Sequence, residues 1–230
     1  MAEKEGQQED IEALKTKLAV YRKLVERYSD EISQGEQKTI PELKEMVAPK
    51  DAAIREVKRK LLLELGFADE LEKGEKSGKP ERTISSEPEG NHYRFEKDFL
   101  PAAQNAYCFT QSLKKIHHDL PVSFWLKPRE IIDLGAADTF DRAILLCSLL
   151  QVLGCQNATV RVLDLEEGLK HPTVVFSYNE KQYLMDPMQE CSAFTYHGNL
   201  EEVLKTYTYE GKKALKSSYE FNDKEYLEFE

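Results

Sequence analysis

Cysteine is scarce and scattered in this 230-residue chain. Cys108, Cys147, Cys155 and Cys191 form no C-x-x-C pair and no zinc-ribbon spacing. That removes the common thiolate metal sites and leads to an expectation of reduced thiols in a cytoplasmic protein. Basic residues are also in deficit: 32 Lys and Arg against 42 Asp and Glu give a net charge of −10. No lysine–arginine run is long enough to track a phosphate backbone, so nucleic acid is not an expected partner. The densest apolar run, residues 143–153, is broken by Ser148 and Gln151 and is too short to span a bilayer. It reads instead as a buried helix, and no membrane association is expected. The opening MAEKEGQQED lacks the apolar core of a secretory signal. Gly135 stands apart and lacks the lysine of a phosphate-binding loop. His117-His118 has no ligand partner at metal spacing. Neither a cofactor nor a metal is therefore expected.

Three segments differ in what they contain. In the first, residues 1–66, Ile11, Leu14, Leu18, Tyr21, Val25, Tyr28 and Ile32 recur at alternating steps of three and four. That spacing predicts a single apolar seam, as in a coiled coil or helical hairpin. The seam either packs within the chain or joins two copies in a homodimer through residues 11–32. Ser33-Gln34-Gly35 should end the helix, and Thr39 with Pro41 should open a short one that Pro49 interrupts. A further helix is expected over residues 51–65. Residues 67–91, rich in Glu, Lys, Gly, Ser and Pro, have too few large apolar side chains to offset ordering entropy. They read as a flexible linker.

Residues 92–230 form the expected compact domain, helices first and an antiparallel sheet afterwards, which is an α+β arrangement. Helices are expected over 99–117, from Pro128, and over 140–153. Strands follow at 158–164, 173–178 and 182–185. Asn179-Glu180 marks a hairpin turn between the last two. A two-residue turn pairs Tyr178 with Lys181 and Thr173 with Asp186. His171 is then diagonal to Asp186 on the same face.

Three motifs in order carry a family resemblance. Phe124-Trp125-Leu126-Lys127-Pro128-Arg129-Glu130 leads into Gly135-Ala-Ala-Asp-Thr-Phe-Asp141 and the helix Leu145-Leu146-Cys147-Ser148-Leu149-Leu150. His171-Pro-Thr-Val174 and Tyr183-Leu-Met-Asp186-Pro187 follow. Together they resemble the core of the transglutaminase-like, papain-type superfamily, in a version similar to archaeal members. The resemblance covers residues 123–188. It implies a nucleophile on the turn into the buried helix, a histidine base and an orienting aspartate. Those positions are Thr139, His171 and Asp186. Trp125, Asp138 and Phe140 would border the cleft and the oxyanion site. The helix N-terminus would stabilise developing negative charge.

The family pattern has cysteine where this chain has Thr139. A threonine hydroxyl hardly ionises near neutral pH, and an internal threonine lacks the terminal amine that activates such nucleophiles. Thr139 also suits an N-cap. Cys147 lies two helical turns further on, roughly 12 Å along the axis, and Cys108 and Cys191 are the other thiols that folding could bring near. Beside a purely structural coiled-coil adaptor with a passive C-terminal domain, two functions remain open. One is a catalytically inactive domain that binds a peptide or protein. The other is an amide hydrolase or transamidase using His171 and Asp186. His171 with Asp186 can equally be a structural hydrogen bond, and Trp125 a core aromatic. Tyr196, Tyr207, Tyr209 and Tyr219 read as half-buried packing or as a protein-binding surface.

Overall fold

The turn Asn179-Glu180 sets the register of the sheet. Both residues take positive φ, 47° and 63°, the combination of a tight hairpin turn whose twist matches the flanking strands. The computed structural model describes residues 2–35, 37–68, 91–116, 124–190 and 192–230. It places β4 (Lys170–Tyr178) and β5 (Lys181–Met185) on either side of that turn, with Tyr178 opposite Lys181 and Val174 opposite Met185. With β3 (Thr159–Leu165), β6 (Tyr196–Gly198), β7 (Thr208–Tyr209), β8 (Lys212–Phe221) and β9 (Tyr226–Glu228) they form one sheet. Its order is β6-β5-β4-β3-β8-β7, with β9 also paired to β8. Every one of these pairings is antiparallel. Pro172 sits inside β4, but β5 reaches no further than Val174, so the missing N–H costs no ladder bond on that side.

The helices ahead of the sheet are α5 (Phe95–Ser112), α6 (Pro128–Leu134) and α7 (Thr139–Val152), and the protein is α+β. In α7, Leu145, Leu146, Leu149 and Leu150 are wholly buried, each stabilising the fold by about 1.5–3 kcal/mol. Ser148, equally buried, donates to the Ile144 carbonyl at 2.8 Å and accepts from the Ala48 N–H at 3.1 Å. The α5 helix starts four residues earlier than expected, where Glu96 and Asp98 suit its first turn, and it accommodates Pro101 in its interior without the usual hydrogen bond from that position. It also ends earlier, at Ser112, where the chain instead pairs Lys114 and Lys115 (β1) in parallel with Ala136 and Ala137 (β2).

Phe176 meets Phe99 of α5 edge to face at 5.5 Å. On the alternate face, Val175, Leu163 and Leu184 cluster with Leu200 of α8 (Leu200–Thr206) and with Tyr207. Gly154 turns the chain out of α7 at φ 112°, and a Cβ there would lie 2.8 Å from the Phe95 ring. Gly154→Ala combines an unfavourable backbone conformation with that collision. Urea unfolding is expected to show a loss of about 2–3 kcal/mol.

The chain divides differently from the expected organisation. The expected boundary at residue 66 is not where the compact units divide: one contains residues 1–39 and 116–125, the other residues 40–115 and 126–230. Short helices α3 (Ile40–Met46) and α4 (Ala52–Glu64) therefore belong with the sheet. Their apolar faces, among them Leu43, Met46, Ile54, Val57 and Leu61, are buried, and α4 packs on α5, α6 and α7. The first unit holds α1 (Ala2–Arg27) and α2 (Ser29–Gly35), which ends at the expected glycine. These are successive stretches of one helical path, because Tyr28 N–H donates to Leu24 O and Ile32 N–H to Tyr28 O across the break.

The expected linker lies mostly outside the described residues, at 69–90. Its flanks are joined, since Ala68 N–H donates to Asn91 O at 2.9 Å and Phe67 meets Tyr93 edge to face. His117, His118 and Cys191 also lie outside the described residues. No helix among the described residues is long and apolar enough to cross a membrane.

Candidate active site

Strand alternation puts His171 and Thr173 on the face of β4 that carries Val175, and continuing the hairpin register beyond Met185 brings Asp186 beside them. The hydrogen bond follows: His171 Nε2 and Asp186 Oδ2 are 2.9 Å apart, and both residues are 1% exposed. Asp186 is saturated by other donors. Tyr207 Oη donates to the same Oδ2 at 2.6 Å, and Met188 N–H donates to Oδ1 at 2.9 Å. Burial, then the charge of Asp186 and the hydrogen bond to it, push the Tyr207 phenol far up, so it stays a donor. From the helix side of the sheet, Tyr107 Oη reaches the Asp186 carbonyl at 2.8 Å and the Gln189 carbonyl at 2.9 Å. The turn carrying Asp186 is therefore pinned by a tyrosine from α5 and another from the end of α8.

Tyr209 covers the imidazole. Its ring stacks on that of His171 with centroids 3.8 Å apart and planes at 23°. Burial, then Glu210, raises the Tyr209 phenol to about 12, while Arg142 pulls the other way. Tyr207 and Tyr209 were read from sequence only as packing or surface tyrosines. The signal available was their spacing of two around a short strand, which aims both at one neighbour.

The first turn of α7 is built by acids. Asp138, not Thr139, is the N-cap: its Oδ1 accepts from Asp141 N–H at 2.7 Å, and Asp141 Oδ2 accepts from Asp138 N–H at 3.5 Å. Thr139 is the first helical residue and, with Phe140, is half-buried. The capping reading of Thr139 is thereby corrected. An aspartate immediately before it takes the cap, and Asp141 three residues on completes the reciprocal pair. Asp141 Oδ1 also accepts from Leu126 N–H at 3.1 Å, which ties the incoming loop to the helix.

Burial and the adjacent Asp138 carboxylate raise Asp141 to about 7. A carboxyl raised on folding binds its proton more tightly in the native state. Its contribution to stability is full below the unfolded value near 4 and is lost as pH rises through about 7. Asp141→Asn is expected to remove up to one proton's worth of slope from the unfolding free energy between those pH values, measured by urea titration across that range.

The structure brings His171 and Asp186 together. Among the described residues, no hydrogen bond joins Thr139 to His171. Arg142, one turn on from Thr139, interacts electrostatically with Tyr209, the residue stacked on His171. Its guanidinium Nη2 donates to the Leu113 carbonyl at 2.6 Å. Trp125 is half-buried and falls in the other compact unit. The described thiols are poor nucleophiles by position. Cys147 is buried in α7 with its Sγ 3.4 Å from the Ala158 carbonyl, and burial raises it strongly. Cys155 is raised to about 12, again by burial. Cys108 is exposed on α5, 3.3 Å from the Gln104 amide. No cluster of three or more His, Cys, Asp or Glu that could hold a metal exists among the described residues.

What fold and site define is an α+β domain with a buried His–Asp pair at the end of a sheet hairpin, beside an acid-capped central helix. No family model matches the chain, and no curated protein matches it. Among solved structures, Legionella pneumophila LapG is similar at 13% identity and a TM-score of 0.46, over 84% of this chain and 89% of that one. An EGTA-treated LapG gives 11% and 0.45 over 85% and 88%. A calcium-bound LapG gives 15% and 0.41 over 55% of this chain and 66% of that one, slightly under two thirds of its length. At these values the likeness is distant and does not by itself establish a shared family.

Proposed function

We propose that this chain is a transglutaminase-like domain that retains the base and orienting acid of a papain-type site but not its nucleophile, and that it binds a peptide or protein segment without cleaving it. The observation that carries this reading is the state of His171. Its ring is held by Asp186, stacked by Tyr209 and nearly free of solvent. The residue in the family's cysteine position is Thr139, whose hydroxyl hardly ionises near neutral pH. The three-motif resemblance supports the family. The raised thiols of Cys147 and Cys155 speak against a substitute nucleophile from either.

A second reading, an amide hydrolase or transamidase, is favoured by one observation. The 2.9 Å bond to Asp186 fixes the tautomer of His171 as a general base requires. An assay separates the two. The full chain is incubated with unfolded casein and with a glutamine peptide plus an amine donor, and product is followed by mass spectrometry. The expected result is no turnover. Turnover that disappears in His171→Ala would overturn the binding reading in favour of the enzyme.

A further inference from the structure

The N-terminal helical path carries an apolar seam that stays open to solvent. Leu14, Leu18, Tyr21, Leu24 and Tyr28 are between 43% and 66% exposed. Single exposed leucines are ordinary, but a continuous stripe of large side chains over several turns marks a contact surface. Its step of three and four is the period at which one helix winds around another of the same period. The hydrogen bonds through Tyr28 carry the seam on from α1 into α2.

We infer that the seam is covered by the same seam of a second copy, in an antiparallel pair whose two-fold axis lies beside residue 23. Charge selects this arrangement. With Leu18 and Val25 at a and Tyr21 and Tyr28 at d, Arg22 falls at e, and Lys17, Leu24 and Glu31 at g. In antiparallel pairs g flanks g and e flanks e. When Leu18 packs on Tyr28 of the second copy and Tyr21 on its Val25, Lys17 meets Glu31 of the second copy, twice by symmetry. Leu24 then meets Leu24 across the axis, which accounts for an exposed leucine outside the a and d positions. One like-charge approach remains, Arg22 on Arg22. Sliding the pair by one heptad sets Lys15 against Arg22 twice in one direction and buries Glu31 against Leu24 twice in the other, and a parallel pair sets Lys17 against Arg22 twice and leaves Leu24 beside Ser29. The chosen register is the one that sets Glu31 against Lys17 and Leu24 against Leu24.

Light scattering after size exclusion, on the full chain at high micromolar concentration, is expected to give twice the 26.5 kDa of one copy. Leu18→Glu and Tyr21→Glu are each expected to return the single-copy mass. Both sites are exposed, so the near-UV spectrum of the remaining domain should be unchanged. Lys17→Glu should weaken association roughly ten-fold, and adding Glu31→Lys should restore it. A single-copy mass for the unmodified chain would overturn the inference and leave the seam to a different protein. A dimer that survives Leu18→Glu, or a charge exchange that restores nothing, would overturn the interface or the register.

Discussion

Asp186→Ala is expected to be among the most damaging single changes in this protein, lowering unfolding free energy by about 4 kcal/mol in urea titration. The carboxylate accepts from His171, Tyr207 and the Met188 backbone in a pocket with almost no solvent. Truncation leaves three buried donors without acceptors, each worth roughly 1–3 kcal/mol when orphaned. A small cavity adds to that, and partial relaxation subtracts from it. Asp186→Asn keeps a carbonyl oxygen of similar shape and should cost roughly half as much. If Asp186→Ala changed stability by less than about 1 kcal/mol, the carboxylate would not be organising the site.

Tyr209→Ala addresses the cover over His171. Diethyl pyrocarbonate acylates an accessible neutral imidazole, and peptide mass spectrometry reports each histidine separately. In the unmodified chain, exposed His197 should react while His171 is protected beneath the Tyr209 ring. Removing that ring should raise modification of His171 by on the order of ten-fold with little change at His197. Tyr209→Phe preserves the stacked ring and should leave the protection in place. Equal protection in the alanine variant would mean that other groups bury the imidazole.

Much of this site was legible in the residues because its geometry is local. A two-residue turn at Asn179-Glu180 fixes the pairing of β4 with β5, and the period of two then brings His171 to Asp186. The apolar run over 143–153 announced α7 for the same reason, since a segment apolar on all sides is buried on all sides. The rest depends on distant pairings. Tyr207 and Tyr209 reach Asp186 and His171 across at least 21 residues of chain, and a tyrosine's mixed character suits both a surface and a core. The short strands β6, β7 and β9 have too few residues to show alternation. Residues 40–64 carry a helical apolar face that sequence identifies, but not the surface it packs on. The loop ends at Ala68 and Asn91 are joined by backbone groups that every residue type possesses. The cap went to Asp138 because adjacent Asp and Thr are both good caps, and the reciprocal bond from Asp141 decides between them.

We propose that position 139 opens onto His171, as the three-motif resemblance implies, with only the thiol missing. The direct measurement is the rate at which Thr139→Cys is alkylated by iodoacetamide at mildly acidic pH, with exposed Cys108 as the internal reference. A thiol on the first turn of α7 beside an imidazole should be ionised well below its usual range and react about ten-fold faster than Cys108, and His171→Ala should abolish most of that advantage. A thiol at position 139 that reacts no faster than Cys108, or whose rate ignores His171, would contradict the account.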